Sequence, residues 1–437
     1  MTKARRDGLY FLLLGGAVFI LLGIALESIF PNTMVDFRVL YQPARALIQQ
    51  RDPYNQREVL RISQAEGRSR PSDTDEDRQV ATQCMYPPTA FSFTVPFALL
   101  PWNPARILWM TLTMGSFIFA SYLLWTLGAD YSPVLAGLLA GFLLANSEML
   151  VMTGNMAGIA ISLCVVAVWC FLRDRYVVWG VLCLAVSLAT KPHDTGLVWL
   201  YFLLAGGVYR KRALQSLLAM LAFSLPAVLW VWHVAPGWLQ EMHTNILAFS
   251  VHGGMNDPGM QSSGAHGLGK LVSLQAIFGV FWNDPRIYDP ASYLTFAPLL
   301  LVWAFYTFKS PRSPARTWFA IAAIAALSML PVYHRQQDTR LLLLTVPACA
   351  MLWAEGGLTG WLAVLVTSTG LLFTGDLPWA VFLGCIHMVH LKAGGIAANL
   401  SLGIELFAMP LMLLVVGIFY LGVYVRRCSA QPAPAGT

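Results

Sequence analysis

Charge is what this sequence has least of. Only 11% of its 437 residues are Asp, Glu, Lys or Arg, against about a quarter in an ordinary soluble domain, and this excludes the soluble globular class. The chain has no room for a large soluble domain. Its seven cysteines (Cys84, Cys164, Cys170, Cys183, Cys349, Cys385 and Cys428) are scattered, mostly within apolar runs and without a CxxC pair. Neither a zinc centre nor a disulfide framework is therefore indicated. No internal two-fold repetition is evident, which argues against a carrier built from repeated halves with broken helices at the membrane midplane. No small-residue cleavage site follows the first apolar run, so that run is expected to remain as an uncleaved helix.

What fills the space is apolar: 57% of residues are hydrophobic and the mean hydropathy is +0.61. At roughly 20 residues per span, the chain is expected to be an all-α polytopic membrane protein forming a single membrane domain over 1–437. The net charge of +6 does not point to nucleic acid, because the basic residues cluster beside apolar segments. The positive-inside rule accounts for them there. Placing Lys3/Arg5/Arg6, Arg173/Arg175, Arg210/Lys211/Arg212, Lys309/Arg312/Arg316 and Arg426/Arg427 on the cytoplasmic side gives about twelve spans with both termini inside.

Under this parity the first span, about 9–30, delivers the chain outward at Asp36. From Phe37 the apolar residues Leu40, Tyr41, Ala44, Leu47 and Ile48 recur at helical spacing, so an amphipathic helix lying in the interface is expected. Residues 55–83 are read as a mobile polar loop. The proline-punctuated stretch 86–101 is too short to cross and is read as a re-entrant pair roofing a cavity beneath Asp36. Further spans are expected at about 104–127, 131–147, 155–172, 176–190, 195–208, 213–234, 291–308, 315–332, 340–355, 358–374 and 402–425. Residues 31–103 thus make a first external region and 235–290 a second, long enough to be a lid and containing a short helix near 268–281; 375–400 is expected to be external and partly apolar.

Nearly every polar constellation then falls on the outer side. Asp36, Glu148 with Asn155, Lys191-Pro192-His193-Asp194, and His334-Arg335 with Asp338 are the groups that could carry chemistry. Taken singly each has an ordinary role: a helix cap for Asp36, headgroup snorkelling for Lys191, lipid-phosphate binding for His334 and Arg335, and packing for Glu148 and Asn155. Together they supply a carboxylate that could take a proton from a hydroxyl and cations that could hold a leaving phosphate.

The order Asp36-Phe37, Tyr41, Ala46 and Pro53-Tyr54, followed by Tyr86-Pro87-Pro88, Pro96 and Pro101, Gly154-Asn155, and Lys191-Pro192, resembles family 87 of the glycosyltransferases. These are polyprenyl-phosphate-sugar-dependent enzymes of the GT-C superfamily. Asn55 departs from the acid that commonly follows the Pro-Tyr element, and Thr153-Gly154-Asn155 from the more usual Gly-Gln-Asn. The resemblance implies a GT-C-type fold and transfer of a hexose, often mannose, with inversion, to a hydroxyl of a lipid or glycan acceptor at the outer face of a cell membrane. It implies Asp36 as general base, with Lys191, His334 and Arg335 expected on the donor phosphate. Tyr41, Tyr54, Tyr86, Glu148, Asn155, His193 and Asp338 are expected to contact substrate. Asp36 has no adjacent acid, Arg38 stands two residues on and Asp52 lies beyond the helix, so a metal-independent reaction is expected, with no cofactor. The alternative is a transporter or flippase for a lipid-linked or polar substrate.

Overall fold

The computed structural model describes residues 1–30, 33–65, 82–259, 262, 266–310, 313–389 and 395–429. Among these, the only non-helical pairing is one isolated bridge, Leu271 to Arg335. The helices in order are α1 (Lys3–Ile29), α2 (Val35–Ile48), α3 (Gln56–Ala65), α4 (Phe91–Ala98), α5 (Trp102–Gly128), α6 (Pro133–Leu144), α7 (Met149–Met152), α8 (Ala157–Arg173), α9 (Val177–Thr190) and α10 (Pro192–Ala205). They continue as α11 (Gly207–Val234), α12 (Trp238–Ser250), α13 (Leu274–Phe281), α14 (Pro285–Lys309), α15 (Pro314–Leu327), α16 (Val346–Glu355), α17 (Gly357–Thr374), α18 (Asp376–Val389) and α19 (Ile396–Ser429).

Seven helical segments among the described residues are long and apolar enough to cross a membrane, and α8, α9, α15 and α18 are shorter apolar helices. The chain is an all-α polytopic membrane protein. Its outer helices carry their apolar residues outward: α11 exposes Leu214, Leu218, Leu221, Leu225 and Leu229, the spacing of a stripe that faces lipid. By contrast, α15 is buried from Arg316 to Leu327 and forms the centre of the bundle.

Glycine sets the closest helix contact. On α1 and α6 a methyl group added at Gly8, Gly15, Gly137 or Gly141 would collide with backbone of the opposite helix, so the two backbones touch as in small-residue membrane interfaces.

The basic clusters meet at one end. Arg5 and Arg173 share Asp130, at 3.0 Å and 2.6 Å. Arg212 pairs with Asp174 and Arg427 with Glu355, and Arg316 donates to the Arg427 carbonyl. α1 and α8 both run from this end to Asp36 and Asn155 respectively, so the polar candidates gather at the other.

Several local expectations are revised. α2 is packed into protein on most of its surface: nine of its residues, including Phe37, Tyr41 and Leu47, are buried, because Phe37 stacks on Trp109 at 4.3 Å and the Tyr41 hydroxyl donates to the Leu100 carbonyl. The loop read over 55–83 begins with α3, which buries Val59 and Ser63 one helical turn apart; its charge run at 68–78 lies outside the described residues. The short pair over 86–101 is a 3-10 turn at Pro88–Ala90 followed by α4. The second external region contains α12 as well as the expected short helix, here Leu274–Phe281. The stretch expected as a span at 340–355 is a buried 3-10 helix, Gln336–Thr345, followed by α16, and much of 375–400 forms α18.

Replacing Gly141 with Leu should force α1 and α6 apart and cost about 1–3 kcal/mol or more. A lowered thermal midpoint of the detergent-solubilised protein checks this, whereas the same change at Gly196, with open space around it, should leave the midpoint nearly unchanged.

Candidate active site

The site is assembled by backbone before side chains enter. Met34 adopts a left-handed conformation, φ 60°, and its N–H donates to the Met152 carbonyl at 2.7 Å, while the Asp36 N–H donates to Thr153 at 2.9 Å. The first turn of α2 is thereby tied to the chain just before Asn155. Gly154 makes this approach possible. Its φ is +66°, and a Cβ there would lie 2.9 Å from the Phe37 Cβ. Its carbonyl accepts from the Trp109 indole.

Asn155 is the hub of the polar cluster. Its Nδ2 donates to Asp36 Oδ2 at 2.7 Å, and its Oδ1 accepts from the Ala157 N–H at 2.8 Å and from Lys191 Nζ at 3.3 Å. Both ends of the amide are thus fixed. Asp36 is half-buried, with one oxygen held by Asn155 and the other open among the described residues.

Lys191 closes α9 and opens α10. Its ammonium contacts Asp338 Oδ1 and lies 3.2 Å from Asp194 Oδ2. Asp338 and Asn155 accept hydrogen bonds from it, while Asp194 stands at ion-pair distance with neither oxygen hydrogen-bonded. Burial alone would lower its pKa, but Asp194 and Asp338 outweigh it and hold the ammonium above the ordinary lysine range. Asp338 sits beside it and is pulled to about 2: burial pushes the carboxyl up, and the attraction of Lys191 more than reverses that.

Arg335 is a clamp. Its Nε donates to the Tyr333 hydroxyl at 2.7 Å, Nη1 to the Gly269 carbonyl at 2.9 Å, and Nη2 to Met255 O and Asn256 Oδ1, both at 2.9 Å. Its own N–H donates to Asp338 Oδ2 at 2.8 Å. The guanidinium fastens Met255, Asn256 and Gly269 over the site while its charge remains at the cavity wall. His334 is fully buried behind that wall. Its Nε2 lies 3.4 Å from the His193 carbonyl, and burial lowers its pKa, which keeps the ring neutral at pH 7.

These residues border a cavity of about 1010 Å³ whose wall includes Asp36, Tyr86, Asn155, Lys191, His193, Arg335 and Asp338. The structure does not bring every expected residue to it. Tyr41 is fully buried beneath α2. Tyr54 is buried against Phe91 and Trp238, and its hydroxyl donates to the Tyr86 carbonyl, so it positions Tyr86 from behind. Glu148 is buried near Asp376 and Arg340, with neither carboxylate oxygen hydrogen-bonded. Tyr333 and Gln337 also line the cavity; neither is singled out in the sequence, where no spacing marks them. Asp194, named there with Lys191, is buried beside that lysine and does not reach the cavity wall.

The residues give a poor fit to a metal. His193, Asp194, His334 and Asp338 bring ligand atoms within 4.8 Å of one another, a donor set that could hold a divalent cation. The Lys191 ammonium already lies against both of its carboxylates, so a metal there would face a fixed positive charge at contact distance.

The profile of glycosyltransferase family 87 matches residues 85–332, more than half of the chain. The chain belongs to glycosyltransferase family 87. No curated protein matches the sequence. Membership makes this a membrane glycosyltransferase, with Tyr86, Asn155, Lys191 and His193 inside the matched segment and Asp36, Arg335 and Asp338 outside it. The cavity wall holds a carboxylate with an open oxygen, a fixed amide and cationic groups.

Lys191→Met should leave Asp194 and Asp338 facing one another without their shared cation and cost about 3–5 kcal/mol. The deficit should be largest near pH 7 and shrink as pH falls toward the ordinary carboxylate range, because two buried acids without their cation take up a proton above that range. Wild-type stability from the Lys191–Asp338 pair should instead be present above the ordinary aspartate pKa and fade as pH falls toward about 2. Denaturation of both proteins across pH 3–8 would check the opposite slopes; parallel curves would contradict them.

Proposed function

We propose that this family-87 enzyme transfers a hexose, mannose in the first instance, from a polyprenyl-phosphate donor to a hydroxyl of a lipid or glycan acceptor. The reaction takes place at the outer face of a bacterial cell membrane, on a GT-C-type fold, with inversion at the anomeric carbon. The observation that carries this reading is Asp36: a half-buried carboxylate with Oδ2 held by Asn155 at 2.7 Å and its other oxygen open among the described residues.

In this scheme the acceptor hydroxyl attacks C1 of the donor sugar while Asp36 takes its proton. The new C–O bond forms as the C1–O bond to phosphate breaks, and the electron pair leaves with the phosphate. Preorganised positive charge stabilises that leaving group without rearrangement at the moment of reaction. Arg335, fixed by its loop contacts, contributes through its field and its remaining Nη1 hydrogen. Lys191 contributes chiefly field: two of its donors are engaged by Asn155 and Asp338, and Asp194 holds the ammonium at 3.2 Å by charge. His334, neutral and behind the wall, orients His193. The apolar part of the cavity, with Val39, Ile246, Leu247 and Phe249, suits the first isoprene units of the donor. No metal step is needed.

Asp36→Asn in the purified protein should lower transfer by about 10²–10⁴-fold while donor binding persists. Transfer near the wild-type rate would remove Asp36 as the base. Activity should also be unchanged after exhaustive dialysis against EDTA; loss restored by a divalent ion would overturn the metal-independent scheme. Consumption of a polyprenyl-phosphate hexose separates this reading from a carrier, which would leave the donor chemically intact.

A further inference from the structure

The cavity wall carries a second set of polar side chains, on elements other than those that hold Asp36, Lys191 and Arg335. It lies where the start of α14 meets α13. Gln275 and Asp289 both line the cavity there. Ser273 Oγ donates to Gln275 Oε1 at 3.3 Å, which fixes the amide so that its Nε2 donates to Asp289 Oδ1 at 2.6 Å. The other oxygen of Asp289 has no partner among the described residues. Nor does any basic side chain among them lie within ion-pair distance of this carboxylate.

An unpaired carboxylate near the start of an apolar span is costly and is retained where it serves a function. The sign of the charge selects the ligand. A carboxylate repels a phosphate, so Asp289 does not serve the donor's leaving group. It can accept hydrogens from hydroxyl groups, two per carboxylate oxygen, while the adjacent amide fixes its direction. Tyr293 and the buried Tyr288 also line the cavity, and the exposed ring of Tyr293 is of the kind that packs on the C–H face of a sugar. Carboxylate, oriented amide and aromatic ring together match a neutral polyol.

We propose that Asp289, oriented by Ser273 and Gln275, is a hydroxyl-recognising subsite for a glycan portion of the acceptor, placed on the same cavity as Asp36. The proposal rests on the glycosyl-transfer reading given above for its place in the reaction, but the binding event can be read without the donor. The subsite sets which acceptor is held, and Asp36 acts on the hydroxyl presented to it.

The test uses the full-length protein in lipid nanodiscs with octyl α-mannoside as the acceptor probe and a short polyprenyl-phosphate mannose as the donor. Calorimetric titration of the glycoside, without donor, should show binding to the wild type that weakens about tenfold in Asp289→Asn, the loss expected for a hydrogen bond to a charged group. Gln275→Leu, which leaves Asp289 unoriented, should weaken it several-fold. In turnover, both variants should raise the acceptor KM and leave the donor KM unchanged. Absence of glycoside binding by the wild type, unchanged glycoside affinity in Asp289→Asn, or equal losses for donor and glycoside would each overturn the subsite. A wild type that binds glycoside in an Asp289-dependent way yet consumes no polyprenyl-phosphate sugar would instead refute the donor assignment and leave the subsite standing.

Discussion

Everything at the polar end of the bundle depends on one buried ammonium. Lys191 is the common partner of Asn155, Asp194 and Asp338, and these come from the start of α8, the start of α10 and the 3-10 segment after α15. Burying one charge costs several kcal/mol, and only excellent geometry with full hydrogen bonding offsets it. Asp338 and Asn155 supply the hydrogen bonds here, and Asp194 adds a second carboxylate at ion-pair distance. The same ammonium therefore fixes the amide that fixes Asp36. Removing it would leave two acids facing each other and an amide free to turn.

The second consequence of this arrangement is a division of labour among the cations. Lys191 and Arg335 both look, in sequence, like phosphate ligands. In three dimensions Lys191 is the internal counter-ion of the acids, and Arg335 holds Tyr333, Gly269, Met255 and Asn256. Their charge still shapes the field in the cavity, since charge acts over distances that hydrogen bonds do not. Their geometry, however, serves to keep the second external region seated on the site. The same cavity also carries Asp289, held by Gln275.

Much of the fold was legible because membrane burial imposes simple rules on composition. Long apolar runs predicted α1, α5, α11, α14, α17 and α19, and basic clusters predicted which ends would lie together, as Arg5–Asp130–Arg173 and Arg427–Glu355 now do. Where those rules weaken, so did the reading. The 340–355 stretch is apolar enough to span, yet its first half is wound as a buried 3-10 helix because Asp338 and Arg340 are anchored at its start, Asp338 by Lys191 and Arg340 by Asp376. α2 looked amphipathic by spacing, but the aromatic faces of Trp102 and Trp109 cover it with protein.

The sequence by itself determined the solvent this protein lives in, its helical class and the residue types available for chemistry, because these follow from hydropathy and the chemical identity of side chains. It also singled out Asp36, Asn155 and Lys191 through their order along the chain. Only the tertiary structure decided which of the candidates meet. It withdrew Tyr41, Tyr54, Glu148 and His334 from the cavity wall, added Tyr333 and Gln337, and brought Gln275 and Asp289 to the same cavity. Such choices depend on contacts between residues more than a hundred positions apart, as between Asp36 and Asn155 or Lys191 and Asp338, and no local pattern in the chain encodes them.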